Sequence, residues 1–276
     1  METTLFGNET QAYFPVSLQP VFVGEGASQV PEYQAVVRED TGTVLGIHRG
    51  GYKLVPNRAV FEPFEEAIVS SGLDREGIEV KEGIAYAGRT VVREYYFPHL
   101  TVEPRVGDVV EFTLRVLNSY DATNAFRVLM AGRRRLCLNG LIGAERSASV
   151  YARHTAGFSA ERAVDGIKRA FERYLALDAE WKRWAGRSIT PLEAHAVFEA
   201  MPGSNPRRLE RLEKYWAIEA QLAGESLWGL YNTLTYWSTH APIRKASAGN
   251  RAAIVLERET LVQRALGTPV FQRLVA

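Results

Sequence analysis

The hydrophobic pattern of this chain changes period once, and that switch confines it to one class of fold. Up to about residue 117 the apolar residues fall in short runs: YQAVV at 33–37, TVLGI at 43–47, EGIAYAG at 82–88, RTVVREYYF at 89–97 and DVVEFTLRVL at 108–117. In the last run Val110, Phe112, Leu114 and Val116 share one face while Glu111, Thr113 and Arg115 share the other, which is the two-residue period of a strand. The alternation predicts a sheet covered on one side. Asp40, Thr41 and Gly42 predict a hairpin turn between the first two runs. One helix is expected among the strands, from Asn57 to Ser71, with Asn57 as N-cap, Val60, Phe61, Phe64, Ile68 and Val69 as its apolar stripe and Gly72 as its stop.

Beyond residue 159 the period is helical. Ser159 precedes a segment in which Ile167, Ala170, Phe171, Tyr174 and Leu175 recur at one-turn spacing. Thr190, Pro191 and Glu193 spell a capping box with proline at the first helical position, and Asn205 with Pro206 repeats that start. Leu209, Leu212, Trp216 and Leu222 carry the apolar face onward, and a further helix is expected from Ser226 to Trp237. All five tryptophans lie in this half, where large rings fill the spaces between helices. Strands with one embedded helix, followed by helices, make an α+β pattern: a mostly antiparallel N-terminal sheet over residues 1–155 and a C-terminal helical region over 156–276.

Composition removes several classes of function. A chain of 276 residues, 46% apolar, can bury a sizeable core. Its lone Cys137 excludes an intrachain disulfide framework and a multi-cysteine zinc site, and suits a reducing interior. The N-terminal METTLFGNETQAYFP shows no basic segment leading into an apolar run, so a cytoplasmic protein with no membrane partner is expected. Neither GxxxxGK[ST] nor a GxGxxG after a strand occurs, and no GxSxG elbow. The five histidines stand at least 41 residues apart, so no local pair of metal ligands exists. No cofactor and no metal are expected.

Against this quiet background, one segment is unusual. Between Arg127 and Arg153 lie six arginines and a single acid, Glu145, in a chain whose net charge is +1. Guanidinium groups fit phosphate oxygens bidentately and stay charged at any cellular pH. Arg127, Arg133, Arg134, Arg135 and Arg153, with Lys53 from the HRGGYKLV segment, are therefore the candidate phosphate contacts, and Tyr120 and Phe126 the candidate stacking rings. Gly132 allows close backbone approach, and Asn118, Ser119, Thr123 and Asn124 offer neutral donors. Three other readings stand beside this one. Asp121 and His154, brought together by folding, are the candidate catalytic pair of an enzyme acting on nucleic acid, with a metal in one version. Cys137 is either a thiolate activated by Arg135 or a small core residue. Arg133 to Arg135 pair either with an outside anion or with glutamates of the first half.

The segments GIHRGGYKLVPNRAVFEPFEEAI, NSYDATNAF, RRRLCLNGL, ARH and LWGLYNTLTYW, in that order and spacing over residues 43–240, resemble the phage/plasmid-like proteins catalogued as a domain of unknown function. That family's central motifs read asparagine-serine-histidine-aspartate and valine-cysteine-glutamine-asparagine. Asn118, Ser119, Asp121, Cys137 and Asn139 match them, whereas Tyr120 replaces the histidine and Leu138 the glutamine. The resemblance implies a mobile-element setting. The element order, a helix, three strands and a basic segment, is also similar to the helix and β-β-β-α core of single-strand annealing recombination proteins, which implies a ring or filament around single-stranded nucleic acid without ATP. The function expected is thus single-stranded DNA binding or annealing by a homo-oligomer. The rivals are an interaction or inhibitor protein acting on a host factor and a metal-dependent enzyme on nucleic acid.

Overall fold

The alternating runs form strands and the one-turn runs form helices. A computed structural model describes residues 2–25, 27–121, 126–142, 150–152 and 160–276. In chain order its elements are β1 (Glu2–Thr3), β2 (Glu9–Thr10), β3 (Val16–Val23), β4 (Ser28–Arg38), β5 (Thr43–Arg49), α1 (Asn57–Ser70), β6 (Glu79–Ala85), β7 (Thr90–Arg105), β8 (Asp108–Ser119), β9 (Phe126–Arg134), β10 (Gly140–Ile142), β11 (Val150–Ala152), α2 (Ala160–Gly186), α3 (Pro191–Ala200), α4 (Pro206–Ala223), α5 (Leu227–His240), α6 (Arg251–Leu266) and α7 (Pro269–Val275). The fold is α+β, antiparallel sheets followed by a helical region. The border expected at 155/156 lies outside the described residues.

The largest sheet is an antiparallel meander in the order β10-β9-β8-β7-β6, with β11 also paired to β9. A second sheet, β3-β4-β5, contains the expected hairpin, whose Gly42 takes the positive φ that the turn demands. The arginine-rich segment, read from sequence as a binding segment, enters the large sheet as strand β9.

One face of the large sheet receives α1 and α2. Phe112 of β8 packs its ring 5.2 Å from Phe171 and 5.1 Å from Tyr174, and the Tyr174 hydroxyl donates to the Val110 carbonyl at 2.7 Å. The opposite face, expected to meet water, is covered as well. Glu111, Thr113 and Arg115 are all buried, because α6 lies along β6 and α5 along β10, and Arg115 finds a carboxylate, Glu259, on α6. Strand alternation separates two faces but does not say that the polar one is wet. Gly83 of β6 permits the approach of α6: a Cβ there would stand 2.6 Å from that of Ala252. Helix α5 is buried on nearly all sides, as an all-round apolar helix must be, and Thr233 and Thr235 return their hydroxyls to carbonyls one turn earlier. The tryptophans fill the helical layer as expected, Trp181 and Trp228 lying 5.5 Å apart.

The start signals at Thr190, Asn205 and Ser226 hold, while Ser159 lies outside the described residues. Thr190 and Glu193 form a reciprocal capping box, and Asn205 and Ser226 accept from the N–H groups of Arg208 and Gly229. Asn57 does not cap α1: Pro56 occupies the cap position, while the Asn57 amide donates to the Ala12 carbonyl at 2.8 Å and accepts from Asn118 at 2.8 Å. Val69 is exposed, because at about 3.6 residues per turn it falls opposite the face of Val60, Phe64 and Ala67. The N-terminal residues strap the outer end of α1 to the sheet: Leu5 N–H donates to Glu65, the Thr10 hydroxyl donates to Glu82, and Tyr13 accepts from Arg93. No helix among the described residues is long and apolar enough to cross a membrane.

Phe112→Ala removes a ring from the centre of this core and is expected to lower unfolding free energy by about 3–5 kcal/mol in urea titration. Val106→Ser, at a turn residue 97% exposed, is the control, with an expected change within about 0.5 kcal/mol.

Candidate functional site

Because β9 alternates within a sheet covered on both faces, its arginines are drawn into the protein. Arg134 is fully buried. Its Nε and Nη2 hold both oxygens of Asp108 at 2.5 and 2.7 Å, and its Nη1 reaches Glu219 of α4 at 2.6 Å. Arg133 pairs with Glu111 at 2.7 Å and Glu79 at 2.5 Å, and its guanidinium lies 3.8 Å from the Tyr96 ring centre. Arg135 takes the other Glu111 oxygen at 2.7 Å and the Pro98 carbonyl, with about half of its side chain exposed. Internal pairing, rather than an outside anion, accounts for this triplet. The expectation that all three neutralise phosphate is corrected: Glu111 faces Arg133 directly across β8 and β9, so the charges meet as cross-strand partners.

The same arrangement, one guanidinium between two carboxylates, recurs at Arg93 with Glu65 and Glu82, and at Arg115 with Glu94 and Glu259. Its electrostatics are asymmetric. Burial raises Glu259 above the usual carboxylate range although Arg115 pulls it down, whereas at Glu94 the pull of Arg115 and of the Tyr96 hydroxyl outweighs burial and lowers it. Burial likewise leaves Glu219 raised, with Asp108 adding to the push against Arg134.

Tyr120 cannot stack on a base, since it is fully buried. Its hydroxyl accepts from the Asn57 N–H at 2.9 Å, and its carbonyl lies 2.6 Å from His48 Nε2. Arg127 sits half-buried on β9, and Lys53 is exposed. Asp121 is half-buried and close enough to Tyr52 to help burial push that phenol up to about 12. The Phe126 side chain, Thr123, Asn124, Arg153 and His154 lie outside the described residues, and the pairing of Asp121 with His154 with them. Cys137 is a half-buried thiol that donates to Asn139, and burial pushes it up to about 11 in spite of Arg134. No three His, Cys, Asp or Glu side chains among the described residues are grouped to hold a metal.

The recurring motifs prove to be joints. A Cβ on Gly46 would meet the Tyr120 carbonyl at 2.2 Å, so glycine lets β5 abut the end of β8, and His48 stacks on Tyr52 at 3.8 Å. Asn139, fully buried, donates to Thr235 at 2.7 Å and so fastens the turn after β9 to α5.

Two features remain that no packing role uses up. The first is a cavity of about 330 Å³ between the polar face of the sheet and α6, reached by Thr113, Arg115, Gly140, Arg251 and Glu259. The second is a group of arginines on α4 and α6 around the end of α5. Arg251 donates to the Thr239 carbonyl at 2.8 Å and Arg258 to the Ala241 carbonyl at 2.6 Å, where cations suit a helix C-terminus. Arg208 and Arg258 both lie against the Trp237 ring. Burial, and then the nearby Arg211, Arg251 and Arg208, lower Arg258 below the usual guanidinium value. None of these four has a carboxylate partner among the described residues. Tyr215, Tyr236 and His240 adjoin, with ring centres 4.9 and 4.5 Å apart along the series. Sequence reading missed this group because its members come from separate helices; the signal available was the run of arginines at 207, 208 and 211.

Arg134→Ala leaves Asp108 and Glu219 buried around no cation, and is expected to cost about 3–5 kcal/mol at neutral pH. Glu219, already raised, moves further up in the variant, so the folded chain keeps a proton that the unfolded chain releases. The deficit should therefore be full above that raised value and shrink as the medium is acidified toward the ordinary carboxylate range, read from urea midpoints at about pH 8 and about pH 5. Thiol labelling of native protein near neutral pH should be much slower than that of urea-unfolded protein, since Cys137 stays protonated.

No curated protein and no solved structure matches this chain. A family model does match, across residues 44–259, and the chain accordingly belongs to the family described as a domain of unknown function, DUF932.

Proposed function

We propose that this protein binds single-stranded nucleic acid as a phage or plasmid component working in the host cytoplasm, without ATP. The observation that carries the reading is the group of Arg208, Arg211, Arg251 and Arg258, like charges held together with no carboxylate partner among the described residues and bordered by Tyr215, Tyr236 and His240. Holding like charges close costs free energy that a polyanion repays, and rings beside cations offer the stacking that unpaired bases use. The contact surface is thus moved from β9, where sequence placed it, to α4 and α6. The order α1, β6, β7 and β8, with the long α2 following after the added strands β9, β10 and β11, supports a loose kinship with annealing proteins. Assembly into a ring or filament belongs to the same proposal.

Fluorescence anisotropy with a labelled strand of about 40 nucleotides and its duplex, at two salt concentrations, tests it. Tighter, salt-sensitive binding of the single strand is expected. Arg211→Ala should weaken binding to all sequences alike and reduce the salt slope by about 0.7 for each phosphate that the variant no longer neutralises. An unchanged affinity in that variant, or no binding at low salt, defeats the proposal.

A further inference from the structure

Among the described residues, four other than glycine hold a positive φ, and two of these are large and exposed: Tyr86, 39% exposed at φ 51°, and Leu138, 57% exposed at φ 54°. In the left-handed region the Cβ crowds the following carbonyl oxygen, so glycine or asparagine is the ordinary occupant and a bulky side chain is an outlier. Both turns are pinned in that shape. The Tyr86 N–H donates to Asn250 Oδ1 at 2.7 Å, Arg38 donates to the Ala87 carbonyl at 3.1 Å, and Ala87 and Gly88 continue the turn at φ 59° and 112°. The Leu138 N–H donates to the Arg134 carbonyl at 2.8 Å, and the next residue is Asn139, buried and bonded to α5. Neither side chain belongs to the hydrophobic core. Backbone strain that no core packing offsets is a mark of a surface in use.

Both turns border Arg251, one of the four arginines gathered on α4 and α6. Tyr86 is bonded to Asn250, the residue before it, and Leu138 lines the cavity that Arg251 also lines. The carbonyl before Leu138, that of Cys137, faces the His240 ring at the end of α5. The rings already described there are half-buried against one another, Tyr215 on Tyr236 and Tyr236 on His240. Tyr86 is open: it and Phe22 are the exposed Phe, Tyr or Trp side chains among the described residues, and Phe22 belongs to the separate β3–β4 hairpin. We infer that Tyr86 and Leu138 are the contacts for unpaired bases, the Tyr86 ring stacking on one base and Leu138 packing against another, while Arg251 beside them takes phosphate. Every base has a π-face, so such contacts serve any sequence, and in a duplex those faces are covered by neighbouring pairs. The inference rests on the nucleic-acid reading above and names the residues that make its surface prefer the single strand.

Tyr86→Asn and Leu138→Asn separate the contact from the fold, because asparagine keeps the backbone N–H and adopts the left-handed region more readily than tyrosine or leucine. Each variant is expected to keep a Tm at or above that of the natural protein. In anisotropy on the full chain each should bind a labelled dT strand of about 40 nucleotides more weakly, Tyr86→Asn by about tenfold, the loss of one stacked base. Duplex affinity and the salt slope should stay unchanged, since no charge is removed. Tyr86→Trp keeps a ring, and because all five natural tryptophans are buried, its exposed indole should add an emission at longer wavelength that the single strand quenches. Natural single-strand affinity in either asparagine variant, or an unquenched indole, overturns the assignment and spares the arginine surface. A loss shared by the duplex, or accompanied by a fall in Tm, also overturns it, since the side chains then serve the fold. If the natural protein binds no single strand, the nucleic-acid reading fails and this contact with it.

Discussion

A guanidinium held between two carboxylates is the interaction on which this architecture turns. It occurs four times on the large sheet, at Arg93, Arg115, Arg133 and Arg134, and in three of these one carboxylate belongs to a helix: Glu65 on α1, Glu259 on α6 and Glu219 on α4. Taking such charges out of water is expensive, and apolar side chains of equal size often serve stability as well. What the clamps add is direction. A guanidinium fork donates to carboxylates at fixed angles, so each helix is located on its face of the sheet and in its register along it.

The clamps also explain what could be read from the sequence and what could not. Local signals were legible: the hairpin at Gly42, the capping box at Thr190 and the start at Ser226 depend on residues three or four apart. In the meander β6, β7 and β8 were legible as strand runs, whereas β9, read as a binding segment, and the short β10 and β11 were not. The fate of the arginines was not, because Arg133 finds Glu111 22 positions away, Arg134 finds Glu219 85 away and Arg115 finds Glu259 144 away. An arginine-rich run looks identical on paper whether its counter-charges come from the same chain or from a ligand. Helix α6 escaped notice for a related reason: with one side against the sheet and another against α5, it shows no clean division into apolar and polar faces.

Covering the second face of the sheet has chemical results beyond packing. It buries Glu259 and Thr113 beside the cavity, and it brings the end of α5 against α4 and α6, where arginines gather around the last carbonyls. Cavity and cationic surface share Arg251, so they form one continuous region. The family motifs, by contrast, build the frame: Gly46 and Asn139 make close joints between distant strands and helices.

The N-terminal strap has a bearing on where this domain begins and ends. The span shared with the family, 44–259, opens after β3 and β4 and closes within α6 at Glu259 itself. The contacts of Leu5, Thr10 and Tyr13 with Glu65, Glu82 and Arg93 lie across the first border, and the packing of Phe271 against Trp184 lies across the second. A chain trimmed to the shared span would uncover the Arg93 clamp, leave β5 without its neighbour and cut α6 at its own ion pair. The span that the family model matches is therefore smaller than the set of residues packed together around it.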